Sequence, residues 1–161
     1  KVKETTKQKE EKPMSTLLSK ADREKIIKAL NIDIGLELGA IIQYVMHEVM
    51  AEGIESPAIM EKFEDISREE MKHLERFAER VNYLGGIPNT KPNPVKVGGA
   101  VKKMMQDDLN GEYMAIKTYK SHVKMCEEIG DTTTRLMLEE ILTDEEDHAD
   151  TWETILQKTV K

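Results

Sequence analysis

Thiols are almost absent from this 161-residue chain, and its single Cys126 excludes both an intrachain disulfide framework and a Cys-x-x-Cys rubredoxin or zinc module. Aromatic residues make up only 4% and prolines number 5, which favours helices over strands. No apolar run approaches the roughly 18 residues needed to cross a bilayer, and no signal-like apolar segment is present, so the expectation is a cytoplasmic chain without a membrane partner. An excess of basic residues is missing too. The net charge of −7 disfavours nucleic acid as a partner for the body of the protein and suits a cationic one, such as a metal ion.

With 39% apolar and 34% charged residues, the chain has the composition of one globular domain, expected to be all-α. Residues 1–13 show no apolar periodicity, and residues 1–20 read as a solvated tail ahead of a folded domain over 21–161. Helix one is expected from about Ala21 to Ala51, with Ile34, Glu37, Ile41, Tyr44 and Glu48 on one face. A second stripe of Leu38, Ile42, Val45 and Val49 lies about 100° round and asks for a second packing partner. Gly53 and the Ser56-Pro57 pair precede helix two, about 57–84. From Gly85 to Pro94 the chain cannot be helical, and it is long enough to run the length of a bundle. Helices two and three are then parallel. Helix three spans about 98–128, Gly130-Asp131 supplies a stop and a cap, and helix four runs to about 158. The result is a four-helix bundle with one long crossover.

A repeat runs through these helices. Glu37 stands 33 residues before Glu70, Glu112 stands 33 before Glu145, and three residues beyond each second Glu come His73 and His148. The halves are offset by 75 residues, and Ala40, Ile41 and Tyr44 recur as Ala115, Ile116 and Tyr119. All four histidines obey the repeat, since His47 and His122 each follow their leading Glu by ten residues. Residues three apart on a helix share a face, so each Glu-x-x-His offers a carboxylate and an imidazole to one point. Glu37, Glu70, His73, Glu112, Glu145 and His148 thus form a candidate ligand and catalytic set of four carboxylates and two imidazoles.

Four ionised carboxylates in a dry core would be strongly destabilising, and two divalent cations cancel that charge. Oxygen donors with two nitrogens and no thiolate suit iron or manganese better than structural zinc, and iron is the expected metal, two ions per chain. Tyr44 and Tyr119, seven residues after Glu37 and Glu112, are placed to hydrogen-bond a ligand carboxylate or to donate an electron. His47 and His122 are rotated about 80° from the leading Glu, which places them at the surface or at a subunit interface. Met71 points about 100° away from the centre, towards an outer face. Cys126 reads as a small buried residue.

Taken together, Glu-Leu-Gly-Ala-Ile-Ile-Gln-Tyr-Val-Met-His (37–47), Glu-Glu-Met-Lys-His-Leu-Glu-Arg (69–76), Gly-Ile-Pro-Asn (86–89), Asp108-Leu109 and Ile-Leu-Thr-Asp-Glu-Glu-Asp-His (141–148) resemble bacterioferritin over about residues 22–158. The resemblance implies a ferritin-like bundle in which Glu70 and Glu145 bridge two irons. Glu37 and Glu112 would be terminal carboxylates, and His73 and His148 would each bind one iron. It implies ferroxidase chemistry, with Fe²⁺ oxidised by O₂ or peroxide and the ferric mineral stored in a homo-oligomeric shell. The sequence stops 13 residues after His148, where bacterioferritin continues into a short fifth helix of its 24-subunit cage. A chain without that helix also resembles the Dps-like mini-ferritins with 12 subunits, whose cysteine pair is missing here, so both shell sizes stay open.

Two further positions bear on the resemblance. Trp152 follows His148 by four residues, where the family places its tryptophan three after. Met71 occupies the position that binds haem b across a bacterioferritin dimer; the plainer reading is an interface methionine, one of 10 in the chain. A di-iron oxidoreductase or peroxidase of rubrerythrin type is the alternative function, though no thiolate iron module accompanies it. A DNA-protecting shell has only the tail lysines Lys1, Lys3, Lys7, Lys9 and Lys12 in its favour, diluted by Glu4, Glu10 and Glu11.

Overall fold

Two connections of very different length set the topology. In the computed structural model, which describes residues 18–53 and 56–157, the helices are α1 (Lys20–Met50), α2 (Ser56–Tyr83), α3 (Val101–Ile129) and α4 (Thr132–Ile155). Most of the expected tail, residues 1–17, lies outside the described residues. Only Gly130 and Asp131 separate α3 from α4. Gly130 adopts φ 82°, open to glycine at little steric cost, and its N–H donates to the Cys126 carbonyl at 2.9 Å. Asp131 then caps α4 by accepting from the Thr134 N–H at 3.2 Å. Ser19 does the same for α1, with its hydroxyl accepting from the Asp22 N–H at 3.1 Å. The fourth helix ends at Ile155, before the expected 158, in a turn through Leu156 and Gln157.

The long connection, residues 84–100, carries the chain from the end of α2 to the start of α3. It is fastened along α1 by five hydrogen bonds, three of them from crossover backbone N–H groups. The Asn89 N–H donates to the Asn31 side-chain oxygen at 2.7 Å, Asn93 N–H to the Gly35 carbonyl at 2.8 Å, and Lys96 N–H to Gln43 Oε1 at 2.7 Å. Close approach is possible because α1 presents Gly35 and Gly39 there. A Cβ on Gly39 would stand 3.2 Å from the Asn93 carbonyl oxygen, and one on Gly35 would meet Asn93 Oδ1 at 2.9 Å.

Cross-contacts fix the helix directions. Between α1 and α3, Asp33 meets His122, Glu37 meets Tyr119, Tyr44 meets Glu112 and His47 meets Asp108; rising numbers on one helix meet falling numbers on the other. Between α2 and α4 the pairs Glu69–His148, His73–Asp144 and Arg76–Glu140 run the same way. Helices α1 with α2 and α3 with α4 form the more extensively packed pairs. The architecture is a four-helix bundle with one long crossover, as the sequence pattern implied.

Two apolar clusters fill the bundle. One gathers Ile26, Leu30, Ile34, Phe77, Tyr119, Leu138 and Ile141; the other gathers Tyr44, Phe63, Met104, Leu109 and Trp152, with Phe63 and Trp152 centroids 5.1 Å apart. The level between them is polar. The expected second stripe of α1 splits: Leu38 packs on the first cluster, while Val49 is 72% exposed.

Asp131 joins the local and tertiary levels, because beyond its cap it accepts from Arg80 Nη2 at 2.8 and 2.9 Å, and Arg80 is only 13% exposed. Asp131→Ala removes the cap and leaves a largely buried guanidinium without its carboxylate, so urea unfolding should show a loss of about 2–4 kcal/mol. Asp131→Asn, which keeps a cap, should lose less than half of that.

Candidate metal centre

Between the two apolar clusters, each helix delivers part of one constellation. Glu37 comes from α1, Glu70 and His73 from one face of α2, Glu112 from α3, and Glu145 and His148 from one face of α4. All six are buried, each at 4% exposure or less. The structure therefore brings together the whole set singled out by the repeat.

The six fall into two overlapping groups. Glu37, Glu70, His73 and Glu145 offer atoms within 4.8 Å of one another, and so do Glu70, Glu112, Glu145 and His148. His73 Nδ1 lies 2.9 Å from Glu70 Oε2, 3.1 Å from Glu145 Oε1 and 3.9 Å from Glu37 Oε1. His148 Nδ1 lies 3.3 Å from Glu70 Oε1, 3.7 Å from Glu145 Oε2 and 4.0 Å from Glu112 Oε2. Glu70 and Glu145 are shared, while Glu37 and Glu112 each belong to one group. Glu70 Oε1, Glu145 Oε1 and His148 Nδ1 are buried without an aligned hydrogen bond. Unpaired polar atoms of this kind are costly in a protein core unless something else meets them.

Protons balance the charge when no cation does. Burial, and then repulsion from Glu70 and Glu145, push Glu37 and Glu112 well above the usual carboxylate range. Burial opposes ionisation of Glu70 as well, but hydrogen bonds from His148 and His73 outweigh it and bring Glu70 down to about 2. Burial likewise works against the imidazolium forms, yet Glu145 and Glu70 raise His73 to about 10 and His148 to about 12. The core thus favours imidazolium on both histidines and shifts the outer glutamates towards their acid forms.

A family model for a ferritin-like domain matches residues 27–161. The chain belongs to the ferritin-like family. It is 35% identical over 138 residues to a bacterioferritin of Brucella melitensis, covering 85% of this chain and 86% of that one. Its fold matches a ferritin-like, diiron-carboxylate protein of Bacillus anthracis with a TM-score of 0.82 at 29% identity, over 86% of this chain and 99% of the other. It matches the bacterioferritin of Desulfovibrio desulfuricans, described with a diiron site in different catalytic states, with a TM-score of 0.81 at 32% identity, over 85% and 81% of the two chains. The bacterioferritin resemblance read from the motifs agrees with this placement in the ferritin-like family.

Around the six lies a layer that the repeat also governs. Each histidine turns Nδ1 inward and Nε2 outward, so His73 Nε2 meets Asp144 Oδ2 at 3.2 Å and His148 Nε2 meets Glu69 Oε2 at 2.8 Å. Such outer carboxylates orient an imidazole and raise its basicity. The Tyr119 hydroxyl donates to Glu37 Oε1 and the Tyr44 hydroxyl to Glu112 Oε1, so each half's tyrosine serves the other half's glutamate. Burial, then the facing carboxylates, raise both phenols well above their ordinary range and keep them as donors.

One sequence expectation changes here. His47 and His122 are not surface residues: His47 is fully buried with Nδ1 2.8 Å from Asp108 Oδ2, and His122 Nδ1 lies 3.0 Å from Asp33 Oδ2. The 80° rotation correctly removed them from the centre, but it pointed them at the neighbouring antiparallel helix instead of at solvent. Trp152, despite its shifted spacing, is fully buried and donates from Nε1 to the Tyr44 hydroxyl at 2.8 Å. The residue 75 positions before it is Phe77, which packs edge-on against Tyr119 and has no such donor. Asp33, Glu69 and Asp144 went unnoticed in the sequence, although the pairs Asp33/Asp108 and Glu69/Asp144 share the 75-residue offset. Met71 is 46% exposed on the outer side of α2, as its offset from Glu70 implied, and Cys126 is buried.

Metal ligands must be deprotonated, so binding has to expel the protons described above. At pH 7, titration with a divalent cation should release protons, chiefly from His73 and His148, which are raised to about 10 and about 12. Affinity should therefore rise with pH through neutrality. Calorimetry in two buffers of different ionisation enthalpy measures this release, and a proton-neutral binding reaction would contradict the charge assignment.

Proposed function

We propose that this chain is an iron-storage and detoxification protein, with a ferroxidase centre built from Glu37, Glu70, His73, Glu112, Glu145 and His148. The observation that carries the reading is the pair of four-residue donor groups sharing Glu70 and Glu145. Shared carboxylates between two sites are what a dinuclear centre requires, and the oxygen-rich donor set with one imidazole per site favours iron over a structural zinc. The buried orphan atoms Glu70 Oε1, Glu145 Oε1 and His148 Nδ1 fit such an occupant, since a cation supplies the partner they lack.

Fe²⁺ is the substrate, and bound there it supplies electrons to O₂ or peroxide before passing on as ferric product. The protein's own groups do the positioning. Glu70 and Glu145, common to both donor groups, would be shared between the two ions, while Glu37 and Glu112 would each serve one. Tyr119 and Tyr44 hold the outer glutamates by one oxygen and leave the other free to shift. Asp144 and Glu69 fix the imidazole rings so that both Nδ1 atoms face the centre. The apolar clusters close the centre off towards either end, which strengthens the charge interactions on those sides. The ferric product is held in a closed homo-oligomeric shell of 12 or 24 copies. Exposed Met71 lies under the next copy as an interface methionine, and a Soret band in the purified protein would instead mark it as a haem b ligand.

Mass measurement of the native assembly, followed by addition of excess Fe²⁺ in air, tests the proposal. A large particle retaining many irons per chain is expected, its mass giving the subunit number. A monomer or dimer retaining only about two irons would replace storage with a di-iron oxidoreductase of rubrerythrin type. Glu70→Ala, which removes a carboxylate common to both sites, should lower the initial rate of Fe²⁺ oxidation on the order of 100-fold or more, while the helical signal is kept.

A further inference from the structure

The surroundings of the centre differ from side to side. Towards the two ends of the bundle lie the apolar clusters, and towards α2 and α4 stand the two histidine rings, centroids 6.0 Å apart and each tied by Nε2 to an outer carboxylate. Towards α1 and α3 a cleft of about 290 Å³ opens beneath the crossover, and its wall includes all four glutamates but neither histidine. On the α1 wall the crossover is seated against Gly39, where an added Cβ would stand 3.2 Å from the Asn93 carbonyl oxygen. The position 75 residues on from Gly39 is Met114, on the α3 wall.

Met114 is 57% exposed. Gly111, three residues before it on the same side of α3, leaves the adjoining space open, since an added Cβ there would meet nothing within 4 Å. Among the described residues on the cleft wall, Met114 carries the only sulfur. Tyr119 also lines the cleft, but it is fully buried and its hydroxyl is committed to Glu37. Three other methionines are comparably exposed, Met46 at 40%, Met50 at 45% and Met71 at 46%, and none of them lines the cleft. Place, more than exposure, sets Met114 apart.

We propose that Met114 is an oxidation site at which the chain intercepts hydrogen peroxide leaving the metal centre, its thioether becoming the sulfoxide. The proposal rests on the ferroxidase reading of the centre. Two Fe²⁺ that pass one electron each to O₂, with two protons from solvent, give two Fe³⁺ and one H₂O₂. At Met114 the sulfur lone pair attacks one peroxide oxygen and an S–O bond forms. The O–O bond breaks, and the other oxygen leaves as water with both protons. Sulfur loses two electrons and peroxide gains them. A thioether suits the task because it is polarizable and because reductases return the sulfoxide to methionine, which resets the site. Holding it beside the source raises its effective concentration over that of methionines elsewhere on the surface.

Peptide mapping by mass spectrometry of the full chain in its native assembly, after one turnover with Fe²⁺ in air, tests the site. With catalase in the medium to destroy escaped peroxide, sulfoxide at Met114 should exceed that at Met46, Met50 and Met71 by about fivefold or more. Added H₂O₂ without iron should oxidise the four by exposure alone, with Met114 ahead by less than about twofold. Met114→Leu, a swap of similar volume, should keep the rate of Fe²⁺ oxidation and release about twofold more peroxide in the first turnover without catalase. The same preference with and without iron, no sulfoxide at Met114 when catalase is present, or unchanged peroxide release from Met114→Leu would overturn the interception and leave the ferroxidase reading standing. If the parent chain oxidises no Fe²⁺, the ferroxidase reading falls, and the interception with it.

Discussion

Four carboxylates held together in the middle of a helical bundle repel one another, and nearly every other feature of the protein answers that repulsion. Burial opposes the ionised form of a carboxyl group, and like charges brought together make joint ionisation worse. Two imidazoles stand among them and relieve part of it, so that Glu70 is held down at about 2 while Glu37 and Glu112 are pushed well above the usual carboxylate range. The arrangement is balanced without cations and becomes a receptor when protons leave. A core of this kind is retained for chemistry, because an apolar filling of equal volume would serve stability at least as well.

The repulsion also explains the layered packing. Because the polar level cannot supply dispersion and hydrophobic burial, the two apolar clusters on either side carry the stability of the bundle. Their aromatic members do double duty. Tyr44 and Tyr119 belong to the clusters by their rings and to the centre by their hydroxyls, reaching across to Glu112 and Glu37. The antiparallel crossing of α1 and α3 makes this exchange possible, since the residue seven beyond one glutamate lies level with the other glutamate. His47 on Asp108 and His122 on Asp33 repeat the exchange one turn further out. In each case a carboxylate on one helix is satisfied by a donor from the other half of the repeat, which locks the two halves in register.

The near two-fold symmetry is broken at a few places, and the breaks give the centre direction. Trp152 opposite Phe77 supplies a donor to Tyr44 that Tyr119 lacks, so the two ends of the centre differ in their hydrogen bonding. The crossover is seated on Gly35 and Gly39 of α1, and Lys96 reaches across to Asp107 of α3 at 3.4 Å. With the histidines on one side and the cleft on the other, the pocket opens towards α1 and α3 and is walled towards α2 and α4. Membership of the ferritin-like family accounts for the four-helix bundle.

Helix spans, connectivity and the six converging residues were legible in the sequence, because they depend on periodicity along single helices. Glu-x-x-His shares a face wherever a helix forms, and a stretch from Gly85 to Pro94 breaks one in any context. The 75-residue offset then tied the two halves without reference to space. Contacts between helices were a different matter. That His47 would be fully buried on Asp108, that Trp152 would find the Tyr44 hydroxyl, and that a cleft would open over the glutamates depends on which faces meet and at what level. Angular position on one helix says where a side chain points; only the packed bundle decides what stands there to receive it.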